Sequence, residues 1–277
     1  MIRRPGFVVY GLLSAVVVGS VFPLYWAFVI GSVTGQRASQ TPLPLVPGGH
    51  FFENAKRVFT TINFWGALGN SVIVSAVAAA SVVIFSTLAG FAFAKLRFRG
   101  RNVLMVFVVM TMAVPTQLAL VPLMKEFANV GLAGSKMAVV LPWLVTAFGV
   151  FFMRQYLVDA VPDELIEAAR VDGCSMLRTF WTVAVPAARP AMAILALFTF
   201  MASWTDFMWP LMVLQGSDTQ TLQTALDQLS IAPGQGGLTD QSLVQTGAIL
   251  ATIPLLVLFV ATGRQLVAGI MQGAVKG

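Results

Sequence analysis

The sequence predicts an all-helical integral membrane protein with six transmembrane helices, and three observations carry that prediction. Of 277 residues, 57% are hydrophobic and 10% charged, and the mean hydropathy of +0.84 lies outside the range of water-soluble domains. Six windows are apolar over about 20 residues, the length a helix needs to cross hydrocarbon with every backbone N–H and C=O satisfied internally. The lysines and arginines concentrate in every second connection between those windows, as the positive-inside rule requires of a multi-pass chain.

The first window, 7–30, follows the basic start MIRRPG. Its apolar stretch of about 24 residues exceeds the roughly 7–15 of a signal-peptide core, so a retained helix is expected. The loop 31–66 contains TPLPLVPGG, too rich in Pro and Gly for regular structure, and then FFENAKRVFTTI, where Ala55, Val58, Phe59 and Ile62 recur at helical spacing. A short amphipathic helix at the outer surface is expected there. Windows 67–94 and 102–124 flank the basic run KLRFRGR, and Pro115 predicts a kink in the second of them because its ring removes a backbone donor. Window 137–156 leads into a polar stretch, 157–188. Window 189–213 follows, then an irregular loop over 214–243 containing APGQGG, then window 244–263 and a tail, 264–277.

Placing both termini in the cytoplasm leaves Arg37, Lys56, Arg57, Lys125 and Lys136 as the outer basic residues among 17. KLRFRGR decides the orientation, since charge bias acts most strongly in short loops. A net charge of +6 and a pI near 10 would also suit nucleic acid. No run of like charges or basic face with interleaved aromatics accompanies them, so nucleic acid is not expected as a partner. One cysteine, Cys174, excludes an internal disulfide, and one histidine, His50, leaves no metal-binding set. The pattern GxxxxGK[ST] is absent, as are a Ser, His and Asp constellation and HExxH. Neither catalysis nor a cofactor bound by this chain is expected.

Within 157–188, Val161-Pro162-Asp163-Glu164 reads as a helix start, with two acids at the positive end of the macrodipole. Leu165, Ala168 and Ala169 share a face, and Gly173 supplies a left-handed stop. A second short helix carries Met176, Phe180 and Val183 and ends before Pro186. The residues alone allow two readings: a knob gripped by a partner, or an interfacial hairpin lying on lipid.

This segment resembles the EAA motif of permease subunits of ATP-binding-cassette importers. Glu167-Ala168-Ala169 is followed at the motif's interval by Gly173, and Val183, Val185 and Pro186 occupy its closing positions, with two aliphatic replacements. Asp172-Gly173-Cys174 is similar to the DGA of the carbohydrate branch. SWTDFMWPL at 203–211 and the tail LVAGIMQGAVKG at 266–277 look like the fifth-helix and C-terminal patterns of maltose-type subunits, and Asn70-Ser71 matches a frequent pair of the family.

The resemblance implies a type I importer permease fold in the cytoplasmic membrane of a prokaryote. It implies a second permease as heterodimeric partner, an ATPase dimer that holds ATP and Mg, and an extracytoplasmic sugar-binding protein. Glu167, Ala168, Ala169, Asp172 and Gly173 would make the ATPase contacts. The substrate expected is a sugar, with glycerol phosphate or a polyol as the alternative; a stand-alone secondary carrier is disfavoured by the lack of a titratable relay. Sugar sites join aromatic faces to polar groups. Asn70, Thr116, Gln117, Trp143, Trp204 and Asp206 are the candidates for such a pathway, and Trp204 equally suits an interfacial belt.

Overall fold

The computed structural model describes residues 6–214, 216, 218–231 and 239–274, with side chains as far as 263. The Pro/Gly-rich APGQGG lies outside the described residues, as do Arg3, Arg4 and Lys276. Every regular element among the described residues is helical. Five helices are long and apolar enough to cross a bilayer: Phe7–Gly31, Phe64–Lys95, Lys136–Ala160, Met176–Thr205 and Gln241–Gly263. A sixth span exists if Arg101–Thr111 and Thr116–Asn129, bent by 88°, count as one. That bend falls at Pro115, whose backbone is extended (φ −60°, ψ 124°).

The chain divides into two compact units, Met1–Trp65 with Leu222–Leu256, and Gly66–Thr221 with Val257–Gly277. In the first, helix Phe7–Gly31 is apolar all round, and its buried residues are the last three, Val29, Ile30 and Gly31. An all-round apolar surface suits lipid rather than one packed face. The helix end is fastened by Asn54, 2% exposed, whose Nδ2 donates to the carbonyls of Gly31 (2.9 Å) and Val33 (2.8 Å). Thr246 Oγ1 donates to the same Gly31 carbonyl at 2.9 Å. A Cβ at Gly31 would stand 2.9 Å from that hydroxyl, so glycine is what permits the approach.

Asn54 belongs to helix Phe51–Thr61, which buries Asn54, Ala55 and Val58. One turn on, Arg57 Nη2 pairs with Asp240 Oδ2 at 2.7 Å. Burial pushes the Asp240 carboxyl up, but the Ser242 hydroxyl, Arg57 and the Leu243 N–H together hold it below the usual carboxylate range. The loop expected to be irregular over 214–243 contains a helix, Leu222–Ile231, which buries Leu222, Ala225 and Leu229 at three- and four-residue spacing.

In the second unit, Val82, Phe91, Met153, Leu157, Phe180 and Leu195 anchor one apolar core. A Cβ at Gly90 would lie 2.8 Å from the Met153 side chain and the Arg154 backbone, so helices Phe64–Lys95 and Ala147–Ala160 meet at backbone distance. The short helix expected to end before Pro186 instead runs on. Residues 176–179, a π-helical turn over Phe180–Ala184 and helix Val185–Thr205 form a single span. Pro186 cannot donate to the carbonyl four residues earlier and its ring would crowd it, and the widened turn lies just where a regular helix would clash. At the far end the apolar window does not stay helical to 213: Asp206 leaves the helix (φ −66°, ψ 123°), and a separate turn covers Met208–Val213.

Candidate functional site

The polar hairpin begins with two extended residues, Val161 (φ −123°, ψ 96°) and Pro162 (φ −56°, ψ 146°). They separate helix Ala147–Ala160 from helix Asp163–Val171. Asp163 and Glu164 stand in the first turn of the latter and Arg170 in its last, matching the macrodipole at both ends. The helix closes as Asp172 N donates to Ala168 O (2.9 Å) and Cys174 N to Ala169 O (2.9 Å) around Gly173 at φ +74°. That left-handed turn is open to glycine without strain. Ser175 then starts the second arm, its hydroxyl accepting from Arg178 N at 3.3 Å.

Burial sorts the hairpin into an anchor and a free rim. Ile166 is 5% exposed and joins the apolar core beside Val161 and Phe180. Glu167, Ala168, Asp172 and Gly173 are exposed and Ala169 is half-buried. Leu165, Val171, Leu177 and Trp181 are exposed as well, Val171 by 88%. The five motif residues are thus gathered on one short helix and its turn. Exposed apolar groups stand beside small residues on one short projection.

Two residues of this region escape a reading of the sequence. Ile166 immediately precedes Glu167, the first residue of the motif, and its inward direction depends on the angle at which the helix leaves Pro162. Lys95, which the sequence marks as a topological cation, is 5% exposed along its side chain and donates to Asp163 Oδ1 (2.8 Å) and to Val158 O (3.4 Å). The Lys95 hydrogen bond and charge hold the Asp163 carboxyl below its ordinary range, with Arg97 and Arg101 adding to the effect.

The pathway candidates are not all brought together. Asn70 is 6% exposed, and its Nδ2 donates to the carbonyls of Asp218 and Gln220 (both 2.9 Å) while its Oδ1 accepts from Lys136 Nζ at 2.9 Å. Its hydrogen-bonding capacity is therefore engaged within the chain. Thr116 and Gln117 are exposed on the 3-10 turn Thr116–Ala119 directly after Pro115. Trp143 and Asp206 do come near each other, close enough for the Trp143 indole and the Trp209 backbone N–H to favour the charged form of the Asp206 carboxyl. Trp209 in turn donates its indole N–H to Ala138 O at 3.0 Å, which fixes this group from behind. Trp204 is 1% exposed and stacks on Phe200 at 5.8 Å, as a core residue does. Among the described residues, no group of three His, Cys, Asp or Glu side chains has a metal-binding arrangement.

A family model described as "Binding-protein-dependent transport system inner membrane component" matches residues 83–270. The chain is 34% identical over 275 residues to the lactose transport system permease protein LacG of Rhizobium radiobacter, covering 99% of this chain and 97% of that one. It is 33% identical over 226 residues to the arabinooligosaccharides transport system permease protein AraQ of Halalkalibacterium halodurans, covering 81% and 79%. It is 30% identical over 257 residues to the sn-glycerol-3-phosphate transport system permease protein UgpE of Shigella flexneri, covering 91% and 90%. Among solved structures, a chain of a bacterial ABC transporter involved in the import of the acidic polysaccharide alginate shares the fold. The TM-score is 0.78 at 21% identity, covering 94% of this chain and 99% of that one.

Proposed function

We propose, from the premise that this chain belongs to the family of binding-protein-dependent transport system inner membrane components, that it carries a sugar across the membrane under the drive of separate ATPase subunits. Its class is established by that membership: it is a permease component of an ABC importer, a transport component rather than an enzyme.

The observation that carries the finer reading is the hairpin's division into a buried Ile166 and an exposed rim of Glu167, Ala168, Asp172 and Gly173. A knob anchored on one side and bare on the other is built to be held by another protein. In this reading an ATPase dimer, which binds ATP and Mg, closes around the rim. The push passes through Ile166 into the apolar core and biases the spanning helices between inward- and outward-facing arrangements. A second permease completes the translocation path, and an extracytoplasmic binding protein delivers the substrate. Both termini then lie in the cytoplasm.

A di- or oligosaccharide fits best because relatives named for lactose and arabinooligosaccharides match most of the chain. Trp143 and Asp206 support this, since an aromatic ring near a carboxylate offers a sugar both stacking and hydrogen bonds. The relatives that carry sn-glycerol-3-phosphate favour a second reading, a small phosphorylated polyol.

The test is ATP hydrolysis and uptake in proteoliposomes containing the complete transporter, with binding proteins loaded from a panel of sugars and sn-glycerol-3-phosphate. One sugar should stimulate both, and Glu167→Lys should abolish the stimulation while the complex still assembles. Stimulation by glycerol phosphate alone moves the substrate to the second reading. A Glu167→Lys complex that responds normally removes the hairpin from coupling.

A further inference from the structure

We infer that Lys95 is a clasp across the hinge at Val161-Pro162, setting the angle at which the polar hairpin leaves the membrane helices, and is therefore a positioning residue for coupling. This rests on the reading of the hairpin as the ATPase contact.

The hinge follows from the backbone. Helix Ala147–Ala160 ends and helix Asp163–Val171 begins across two extended residues, so no intrahelical hydrogen bond fixes the angle between them. Lys95 Nζ holds one group on each side. Val158 O belongs to the last turn of the first helix, where carbonyls lack helical partners. Asp163 Oδ1 belongs to the first residue of the second. A single ammonium thus bridges the break, from a third element, the last residue of helix Phe64–Lys95.

Burial gives the clasp its stiffness. The Lys95 side chain is 5% exposed although Asp163 is 74% exposed. A lysine stem enclosed this far has little freedom to swing, so its ammonium is aimed at the partners at the edge of its enclosure, Val158 O and the exposed Asp163 carboxylate. Apolar contact also joins these elements, through Ile166 in the core and the Phe91–Phe180 ring pair at 5.4 Å. Apolar packing is non-directional and tolerates sliding, whereas a charge-assisted hydrogen bond fixes a direction. A push on the hairpin therefore reaches helix Phe64–Lys95 with its direction preserved only while Lys95 is engaged.

The experiment measures substrate transported per ATP hydrolysed by the complete transporter in proteoliposomes, for wild type, Lys95→Met, Asp163→Asn, Lys95→Arg and Glu167→Lys. Met keeps the apolar stem and removes the charge; Arg keeps a cation able to reach both oxygens. The expected result is that Lys95→Met and Asp163→Asn assemble and still hydrolyse ATP but transport about tenfold less substrate per ATP, within the usual span of coupling energies. Lys95→Arg should return the ratio to within about threefold of wild type. A wild-type ratio in Lys95→Met overturns the clasp, as does a proportional fall of hydrolysis and uptake, or a Lys95→Arg variant no better than Lys95→Met. Glu167→Lys separates the two levels: if it is defective while Lys95→Met is normal, the clasp alone falls. If Glu167→Lys is itself normal, the hairpin reading falls first.

Discussion

Two short helices outside the apolar spans have similar lengths and opposite characters. Helix Phe51–Thr61 is sewn down: Asn54 closes two carbonyls, Arg57 reaches Asp240, and His50 N donates to Ser32 O at 2.9 Å. Helix Asp163–Val171 buries Ile166 and leaves most of its surface free. The fastenings of the first, Asn54 to Gly31 and Val33 and Arg57 to Asp240, are spread along the helix, so they consolidate a unit. The side-chain fastening of the second, Lys95 to Asp163, sits at its first residue beside the hinge, so it orients a projection. Polar segments of a membrane protein can thus serve as structure or as contact surface, and the placement of their hydrogen bonds distinguishes the two.

The sharpest way to break this contrast is at the projection. Gly173→Pro cannot adopt φ +74° and loses the N–H that donates to Arg170 O. A local penalty of about 3 kcal/mol is expected. Substrate-stimulated hydrolysis should disappear while the protein remains in the membrane at normal abundance, measured by ATPase assay beside quantitative immunoblotting.

The next largest effect belongs to the sewn-down helix. Asn54→Ala leaves the Val33 carbonyl without its donor, and the Gly31 carbonyl keeps Thr246. The expected loss is about 1–3 kcal/mol of stability, read as a lower unfolding midpoint in detergent, with the transport ratio per ATP unchanged.

A smaller loss, about 1 kcal/mol, is expected for Arg57→Gln because Arg57 is itself half exposed. The pair also gives a pH signature. Asp240 has a depressed pKa, so its contribution is complete above the unfolded carboxylate range and is lost as the pH falls through the folded value. Hydrogen-exchange protection at 240–246, corrected for the intrinsic pH dependence of amide exchange, should fall on acidification in wild type, and less steeply in Arg57→Gln.

The smallest effect on stability sharpens the contrast from the other side. Val171→Ser and Leu177→Ser remove exposed apolar groups and should shift stability by less than about 0.5 kcal/mol. They should nonetheless weaken retention of the ATPase during purification.

Much of the chain is legible because lipid imposes a simple code. Long apolar runs mark Phe7–Gly31 and Phe64–Lys95, and Pro115 marks the broken span, since each rests on a local rule. Gly173 is legible for the same reason: a helix followed by glycine states its own stop. Helix Leu222–Ile231 is harder, because ten moderately apolar residues beside a Pro/Gly-rich stretch satisfy loop and helix alike. Pro186 reads as a terminator, and what keeps the helix going is a π-helical turn set by packing around Phe180 and Ala184. The candidate site divides similarly. Its motif residues are marked by their resemblance to a contiguous family pattern, whereas Lys95 with Val158 and Asp163 depends on three segments meeting, which no local window contains. Asn70 looks free on a helix until Lys136 and the 218–220 backbone are folded onto it.

The 88° break at Pro115 has a consequence for solvation. Acyl chains offer no hydrogen bonds, so main chain that leaves the helical ladder at membrane depth persists only where protein or water replaces the missing partners. If the turn Thr116–Ala119 lies at that depth, it must border water or protein rather than acyl chains, and the exposed Thr116 and Gln117 are the polar side chains nearest the break. A single proline ring would then set where the dry interior has to give way to a wettable surface.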